Sequence, residues 1–423
     1  MLAMQILRED RQKVIEGLQK RNFEALALVD KLLELDQQRR QLQTQLDQNL
    51  ARANQLSKEI GGLFKQGKKE EAEALKAETA SLKTQTKTDQ EKLQELATEI
   101  LELRSSIPNV PKEVVPAGSS EEDNQVVFEV SEIPQLSAEA LPHWELAQKY
   151  QLIDFELGSK ITGAGFPVYT NKGARLQRAL IQYFLDVNTA TGYTEMQVPH
   201  LVNAASGFGT GQLPDKEGQM YHVQDDELYL IPTAEVPLTN LFRDQLLSHT
   251  DLPICLTGYT PCFRREAGSY GAHVRGLNRL HQFDKVEIVR IEKPENALDA
   301  LEAMVAHVQK ILETLGLPFR ILRLCGGDLG FTSALTYDFE VYSAAQERWL
   351  EVSSVSTFDS YQAERLGLRY KTETGSKERV HTLNGSALAL PRILAALLEN
   401  FQTEEGIQIP EVLVPYTGFD RID

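Results

Sequence analysis

Apolar residues recur at alternating three- and four-residue intervals through the first hundred positions of the chain. With Leu28 at position d of a heptad, the core positions read Leu28, Leu32, Leu35, Arg39, Leu42, Leu46, Asn49, Ala53, Leu56, Ile60 and Leu63, nine of eleven apolar. That sustained spacing predicts a coiled-coil strand. After Gly67-Lys68-Lys69 the pattern resumes as Ala72, Leu75, Thr79, Leu82, Thr86, Asp89, Leu93, Leu96, Ile100 and Leu103. Two equal heptad stretches around a glycine predict an antiparallel hairpin, with Ile60 facing Leu75 and Asn49 facing Thr86. At ~1.5 Å per residue, such an arm extends roughly 55 Å.

The pattern stops at Ile107-Pro108-Asn109-Val110-Pro111, which cannot continue a helix, and a stretch with Pro, Gly and acidic residues runs to about Ser131. We place the domain boundary here: residues 1–107 form a helical arm domain and 108–423 a second domain. In the second domain, short β-branched segments (Gln125–Val130, Glu227–Ile231, Lys285–Ile291) mix with amphipathic segments (Leu176–Thr191, Asn296–Leu315), without strict strand-helix alternation. The expected class is α+β, with a largely antiparallel sheet and flanking helices.

Charge separates the same two parts. Residues 1–110 hold 18 basic and 18 acidic side chains, so the net charge of −17 resides entirely in the remainder. An acidic body argues against a general nucleic-acid binder, because phosphate contact needs concentrated positive charge. It leaves room for binding through one locally basic element. The three cysteines (Cys255, Cys262, Cys325) are widely spaced, so no disulfide framework and no zinc site are expected. No run of ~18 apolar residues suggests a membrane span, and the first thirty residues do not form a signal peptide. A cytoplasmic protein without membrane attachment is expected.

No phosphate-binding G-x-x-x-x-G-K-[ST] loop or strand-linked G-x-G-x-x-G is present. The Gly207-Phe208-Gly209-Thr210-Gly211 run lacks a following lysine and reads as a flexible loop. A nucleotide would therefore have to be held by arginines. Two segments supply them. The first is Thr260-Pro-Cys-Phe-Arg264-Arg-Glu266-Ala-Gly268, followed by Arg275-Gly-Leu-Asn-Arg279-Leu-His-Gln-Phe283-Asp-Lys-Val-Glu287. The second runs from His381-Thr-Leu-Asn384-Gly-Ser386 to Pro391-Arg392.

These segments resemble motifs 2 and 3 of class II aminoacyl-tRNA synthetases. With Pro232-Thr233-Ala-Glu235, Glu351-Val-Ser-Ser354 and a motif-1-like segment from Gly173 to Pro199, the ordered set resembles the bacterial seryl-tRNA synthetase family, which also carries an N-terminal helical arm. The resemblance implies a class II catalytic domain that activates L-serine with ATP. Transfer would be to tRNA(Ser), with the selenocysteine tRNA as a second candidate acceptor. It also implies a homodimer. One departure is visible: Ala387 and Pro391 stand where many members have glycines.

By the same resemblance, Arg264 stabilises charge on the α-phosphate, where a bidentate guanidinium suits a five-coordinate phosphorus. Glu266, two residues further along the same strand and so on the same side, accepts a hydrogen bond from the adenine amine, while Arg265 faces away. Phe283 stacks on the purine, Arg392 covers its other face and reaches the γ-phosphate, and Arg279 serves the phosphates or holds Glu266. Glu351 and Ser354 are the expected Mg2+ ligands, since magnesium takes one or two protein oxygens beside phosphate and water. Thr233, Glu235, Arg264, Glu287, Asn384 and Ser386 are the expected serine-binding group. The arm implies a tRNA contact, with Arg39, Arg40, Arg52, Lys58 and Lys65 as candidates. A ligase that charges a carrier protein would not need such an arm, and a catalytically inactive scaffold would have lost Arg264, Glu266 or Arg392.

Overall fold

The computed structural model describes residues 1–130, 132–137, 139–266 and 275–423. Ser131, where the predicted linker ends, and Ala267 and Gly268 of the first arginine segment lie outside the described residues. The chain divides into two compact units, Met1–Gln19 with Phe23–Pro108, and Lys20–Asn22 with Asn109–Asp423.

The first unit is built on two long helices, α1 (Leu26–Lys65) and α2 (Lys69–Ser105), packed antiparallel along their length. Every heptad position named above is buried or half-buried. The reversal between the helices passes through Gly67 at φ 79°, in the left-handed region where a side chain would be strained. One pairing differs from expectation. The Asn49 amide donates to Asp89 Oδ2 at 3.4 Å, and Gln85 donates to Asp89 Oδ1 at 2.7 Å, so the polar layer centres on Asp89, three positions beyond Thr86. A carboxylate at 1 % exposure needs such donors, and its demand sets the pairing. A second buried acid, Asp36, gathers Arg8, Arg39 and Arg40 at 2.9–3.0 Å. Burial works against its charge, but hydrogen bonds from Arg8 and Arg39 hold its carboxyl below the ordinary range.

The second unit is organised around an eight-stranded sheet. Its strands are β1 (Gln125–Glu129), β2 (Thr194–Glu195), β3 (Ile254–Phe263), β4 (Gln282–Glu292), β5 (Phe319–Arg323), β6 (Leu335–Ser343), β7 (Arg348–Thr357) and β8 (His381–Ala389). Their spatial order is β1-β5-β6-β7-β8-β4-β3-β2, antiparallel throughout except for the β2–β3 pair. Central strands carry long apolar runs because helices cover them: α3 (Asn171–Ala190), α5 (Ala297–Leu315) and α7 (Leu390–Asn400), with the short α4 (Glu235–Asn240) and α6 (Tyr361–Leu366) beside the site described below. In α5, Leu301, Met304, Val308, Ile311, Leu312 and Leu315 recur at helical spacing and enter the main core with Leu176, Leu180 and Phe184 of α3. The α+β class and antiparallel sheet follow the sequence reading.

Two local features depart from it or account for it. The Gly207–Gly211 run is not a loop: Ala204–Thr210 is a helical turn capped by Asn203, whose side chain accepts from Ser206 N. A Cβ at 209 would lie 2.5 Å from Leu366 Cδ2, so any larger residue would have to displace that side chain. Pro391 occupies the first turn of α7, where its missing N–H leaves no helical bond unmade, so replacing a glycine here is structurally cheap. Among the described residues, no helix is long and apolar enough to cross a membrane.

Candidate active site

The register of β3, β4, β8, β7 and β6 gathers residues far apart in sequence onto the middle of the sheet. Phe283 on β4 lies opposite Cys262 on β3, Glu287 opposite Ser386 on β8, and Asn384 opposite Ser356 on β7. These pairings form two neighbouring groups of polar side chains.

The first group is buried. Thr233 Oγ1 donates to Glu287 Oε2 at 3.0 Å and accepts from the backbone N–H of Glu235 at 3.2 Å. Lys285 Nζ lies 2.7 Å from the same Glu287 oxygen, both side chains being almost fully enclosed. Glu235 at the start of α4 receives the Gln362 amide at 2.6 Å. Burial raises the Glu235 carboxyl to about 7; Glu287 adds to the rise, while the Gln362 hydrogen bond, Lys285 and Arg264 oppose it. Ser386 is buried and Asn384 half-buried on the adjoining strand. Thr233, Glu235 and Glu287 are thus linked directly, and strand register brings Ser386 and Asn384 beside them.

The second group is more open. β3 ends at Phe263, and Arg264 follows with its N–H bonded to His281 O and its Nε donating to Pro232 O at 3.4 Å. Its guanidinium carbon lies 5.2 Å from the centroid of Phe283. Glu266 does not continue the strand as expected: the chain has left the sheet, and Glu266 sits at φ 47° in the left-handed region. Strand alternation therefore does not place it beside Arg264; its ion pair with Arg279 does the orienting. Arg265 is exposed and lines the same cavity as Glu266 and Arg279, so exposure alone does not turn it outward. Arg392 at the start of α7 donates through Nε to Asn278 O (3.1 Å) and through Nη1 to Glu351 O (2.7 Å), with the Glu351 carboxylate 3.7 Å away. Arg392 is thus tied to Glu351, while the face of Phe283 is taken by Arg264.

Three residues of these groups had not been assigned from sequence. Lys285 lay within the quoted motif, and its placement two residues before Glu287 on a strand was the available signal. Gln362 and Asp338 carried no local signal. Asp338 on β6 lies opposite Ser354 on β7, and Glu340 opposite Glu351. Burial, then the nearby Glu351 charge, pushes the Asp338 carboxyl well above its ordinary range, and its Oδ1 is buried without a hydrogen-bond partner. The orphaned Asp338 oxygen beside Glu351 and Ser354 makes an all-oxygen donor set, the chemistry that suits a hard divalent cation.

In the arm, the five candidate cations separate. Arg39 and Arg40 share buried Asp36 with Arg8, and Arg52 pairs with Glu78 at 3.0 Å. Each is held by an acid one turn away or across the hairpin, which the heptad pattern alone did not show. Lys58 and Lys65 are exposed and have no ion pair among the described residues.

Comparison with known proteins agrees with this arrangement. Residues 1–111 match the Seryl-tRNA synthetase N-terminal domain model, and residues 221–401 match the tRNA synthetase class II core domain (G, H, P, S and T) model. The serine–tRNA ligase of Salinibacter ruber is 52% identical over 424 residues, covering 100% of this chain and 99% of its own. The chain belongs to the seryl-tRNA synthetase family. The serine–tRNA ligase of Akkermansia muciniphila is 45% identical with the same coverage. Among solved structures, the seryl-tRNA synthetase from Pyrococcus horikoshii complexed with ATP superimposes with a TM-score of 0.93 at 31% identity, covering 100% of this chain and 99% of that one. Membership in the seryl-tRNA synthetase family fits both the two-helix arm and the arginine-centred site.

Proposed function

We propose that this chain is a serine–tRNA ligase: it joins L-serine to ATP, releasing pyrophosphate, and passes the seryl group from the adenylate to the terminal ribose hydroxyl of tRNA(Ser). The observation that carries the reading is the pairing of a buried Thr233–Glu287–Lys285 group with an adjoining Arg264–Phe283 and Arg392–Glu351 group. One reads a small polar amino acid; the other receives a nucleotide.

Glu287 and Glu235 take the substrate ammonium, and Thr233, Ser386 and Asn384 supply hydroxyl and amide partners for the serine side chain. A site built to hydrogen-bond a hydroxyl rejects alanine by up to ~10⁴-fold, because buried polar groups are otherwise left unpaired. Arg264 moves from the face of Phe283 to the α-phosphate as the purine takes its place, and stabilises charge there while the serine carboxylate attacks phosphorus and the bond to pyrophosphate breaks. Glu266 exchanges Arg279 for the adenine amine. Arg392 leaves Glu351 for the polyphosphate, and Arg279, freed from Glu266, joins it. The acid so released, Glu351, would hold Mg2+ with Ser354 and Asp338, the ion neutralising phosphate charge when bound.

The arm, residues 1–107 in this reading, contacts the tRNA through Lys58 and Lys65 and through its shape, while residues 108–423 carry catalysis, in a homodimer in the cytoplasm. The test is amino-acid-dependent ATP–pyrophosphate exchange with serine, threonine, alanine, cysteine and glycine, without tRNA. Exchange with serine well above all others is expected. Stronger exchange with another amino acid would overturn the substrate, and none would overturn the reaction.

A further inference from the structure

We propose that Gln362 is a positioning residue for serine recognition, holding Glu235 as a hydrogen-bond acceptor for the substrate ammonium, and that Thr382 anchors Gln362 from behind. The proposal rests on the reading of Glu235 as a serine-binding group.

The geometry leaves Gln362 one orientation. Its Nε2 lies 3.2 Å from Thr210 O, a carbonyl that can only accept, so the amide nitrogen must face that way. The remaining Nε2 proton is then directed at Glu235 Oε1, 2.6 Å away. The amide oxygen faces the opposite side and accepts from Thr382 Oγ1 at 2.7 Å. Gln362 and Thr382 are each 1 % exposed, which shields these bonds from bulk water. An amide fixed in this way presents a donor to Glu235 and nothing else, which favours the carboxylate over the acid.

Such a device is needed because of what else faces Glu235. Glu287 on β4 opposes its ionisation; Lys285 on β4 and Arg264 at the end of β3 favour it, and burial brings the carboxyl to about 7 even with Gln362 in place. The group is thus poised near half-ionised at neutral pH before serine arrives. Losing the Gln362 donor would move ionisation to higher pH, and a rise of one unit would cut the ionised fraction at pH 7 about fivefold.

The experiment is kcat/KM for serine and for ATP in pyrophosphate exchange from pH 6 to 9, in the wild type, Gln362→Met, Thr382→Val and Thr382→Ser. Gln362→Met should lower kcat/KM for serine about fivefold at pH 7, recover toward pH 9, and leave KM for ATP in place. Thr382→Val should shift the profile in the same direction by less, giving a second reading should Gln362→Met fold poorly, and Thr382→Ser should restore it. An unmoved pH profile in both Gln362→Met and Thr382→Val, or a parallel fall for both substrates at every pH, would overturn the proposal. Glu235→Gln separates the two layers: if it binds serine as the wild type does, the role of Glu235 itself has failed.

Discussion

Replacing Glu235 by Gln should stabilise the ligand-free protein at alkaline pH while damaging its function. Burial shifts this carboxyl from 4.5 to about 7 in the folded state. Between those values the folded chain binds more protons than the unfolded one, so wild-type stability falls as pH rises through the window and levels off above 7. The full span corresponds to about 3 kcal/mol at 1.36 kcal/mol per unit, and about 2 kcal/mol of it falls between pH 5.5 and 8. Glutamine has no proton to lose, and its carbonyl can still accept from Gln362. Glu235→Gln should therefore match the wild type within ~1 kcal/mol at pH 5.5 and exceed it at pH 8. Urea unfolding followed by tryptophan fluorescence reports the right unit, because Trp144 and Trp349 both lie in Asn109–Asp423. Parallel wild-type and variant curves across pH 5.5 to 8, or a variant less stable at pH 8, would refute the reasoning.

Arg264→Ala should reduce adenylate formation by ~10²-fold or more while leaving the unfolding curve nearly unchanged; near-normal pyrophosphate exchange would remove Arg264 from the α-phosphate. Asp36→Asn should lower arm stability by ~2 kcal/mol at pH 7, seen as earlier loss of helical circular dichroism on heating. Because the wild-type carboxyl is depressed, its contribution is present above the ordinary carboxylate range and is lost as pH falls below it, so the difference should shrink in acid. Lys58→Ala and Lys65→Ala should each reduce the salt dependence of tRNA binding by close to one released ion, whereas Arg39→Ala should leave that slope unchanged. Equal slopes for Lys65→Ala and Arg39→Ala would show that pairing to Asp36 does not withhold Arg39 from RNA.

The arm was legible because its signal is local: a 3-4 repeat decides which face of each helix is buried without reference to the rest of the chain. Its polar exceptions were less so, since the partner of Asn49 depended on where Asp89 needed donors. In the second unit, strands such as β1 and helices such as α5 could be read from apolar spacing, and the quoted motifs named most members of the site. What could not be read were relations created by strand register. Asp338 becomes interesting only because β6 lies against β7, and Gln362 only because the short α6 packs beside Glu235. The misreading of Glu266 has a similar origin: alternation holds only while the chain remains in the sheet, and the sheet ends at Phe263.

The Asn49–Asp89 layer gives the arm a fixed register. Leucine layers alone tolerate slippage by a whole heptad, since each such shift restores apolar contacts. Here any such slip would part the buried Asp89 carboxylate from Asn49 and leave it only Gln85 of its own helix, so one alignment is favoured and the helices keep a single offset. A slip of seven residues would displace one helix against the other by about 10 Å. The residues of α2 that flank Lys58 and Lys65 are thereby fixed, so the arm presents one surface along its length and not several.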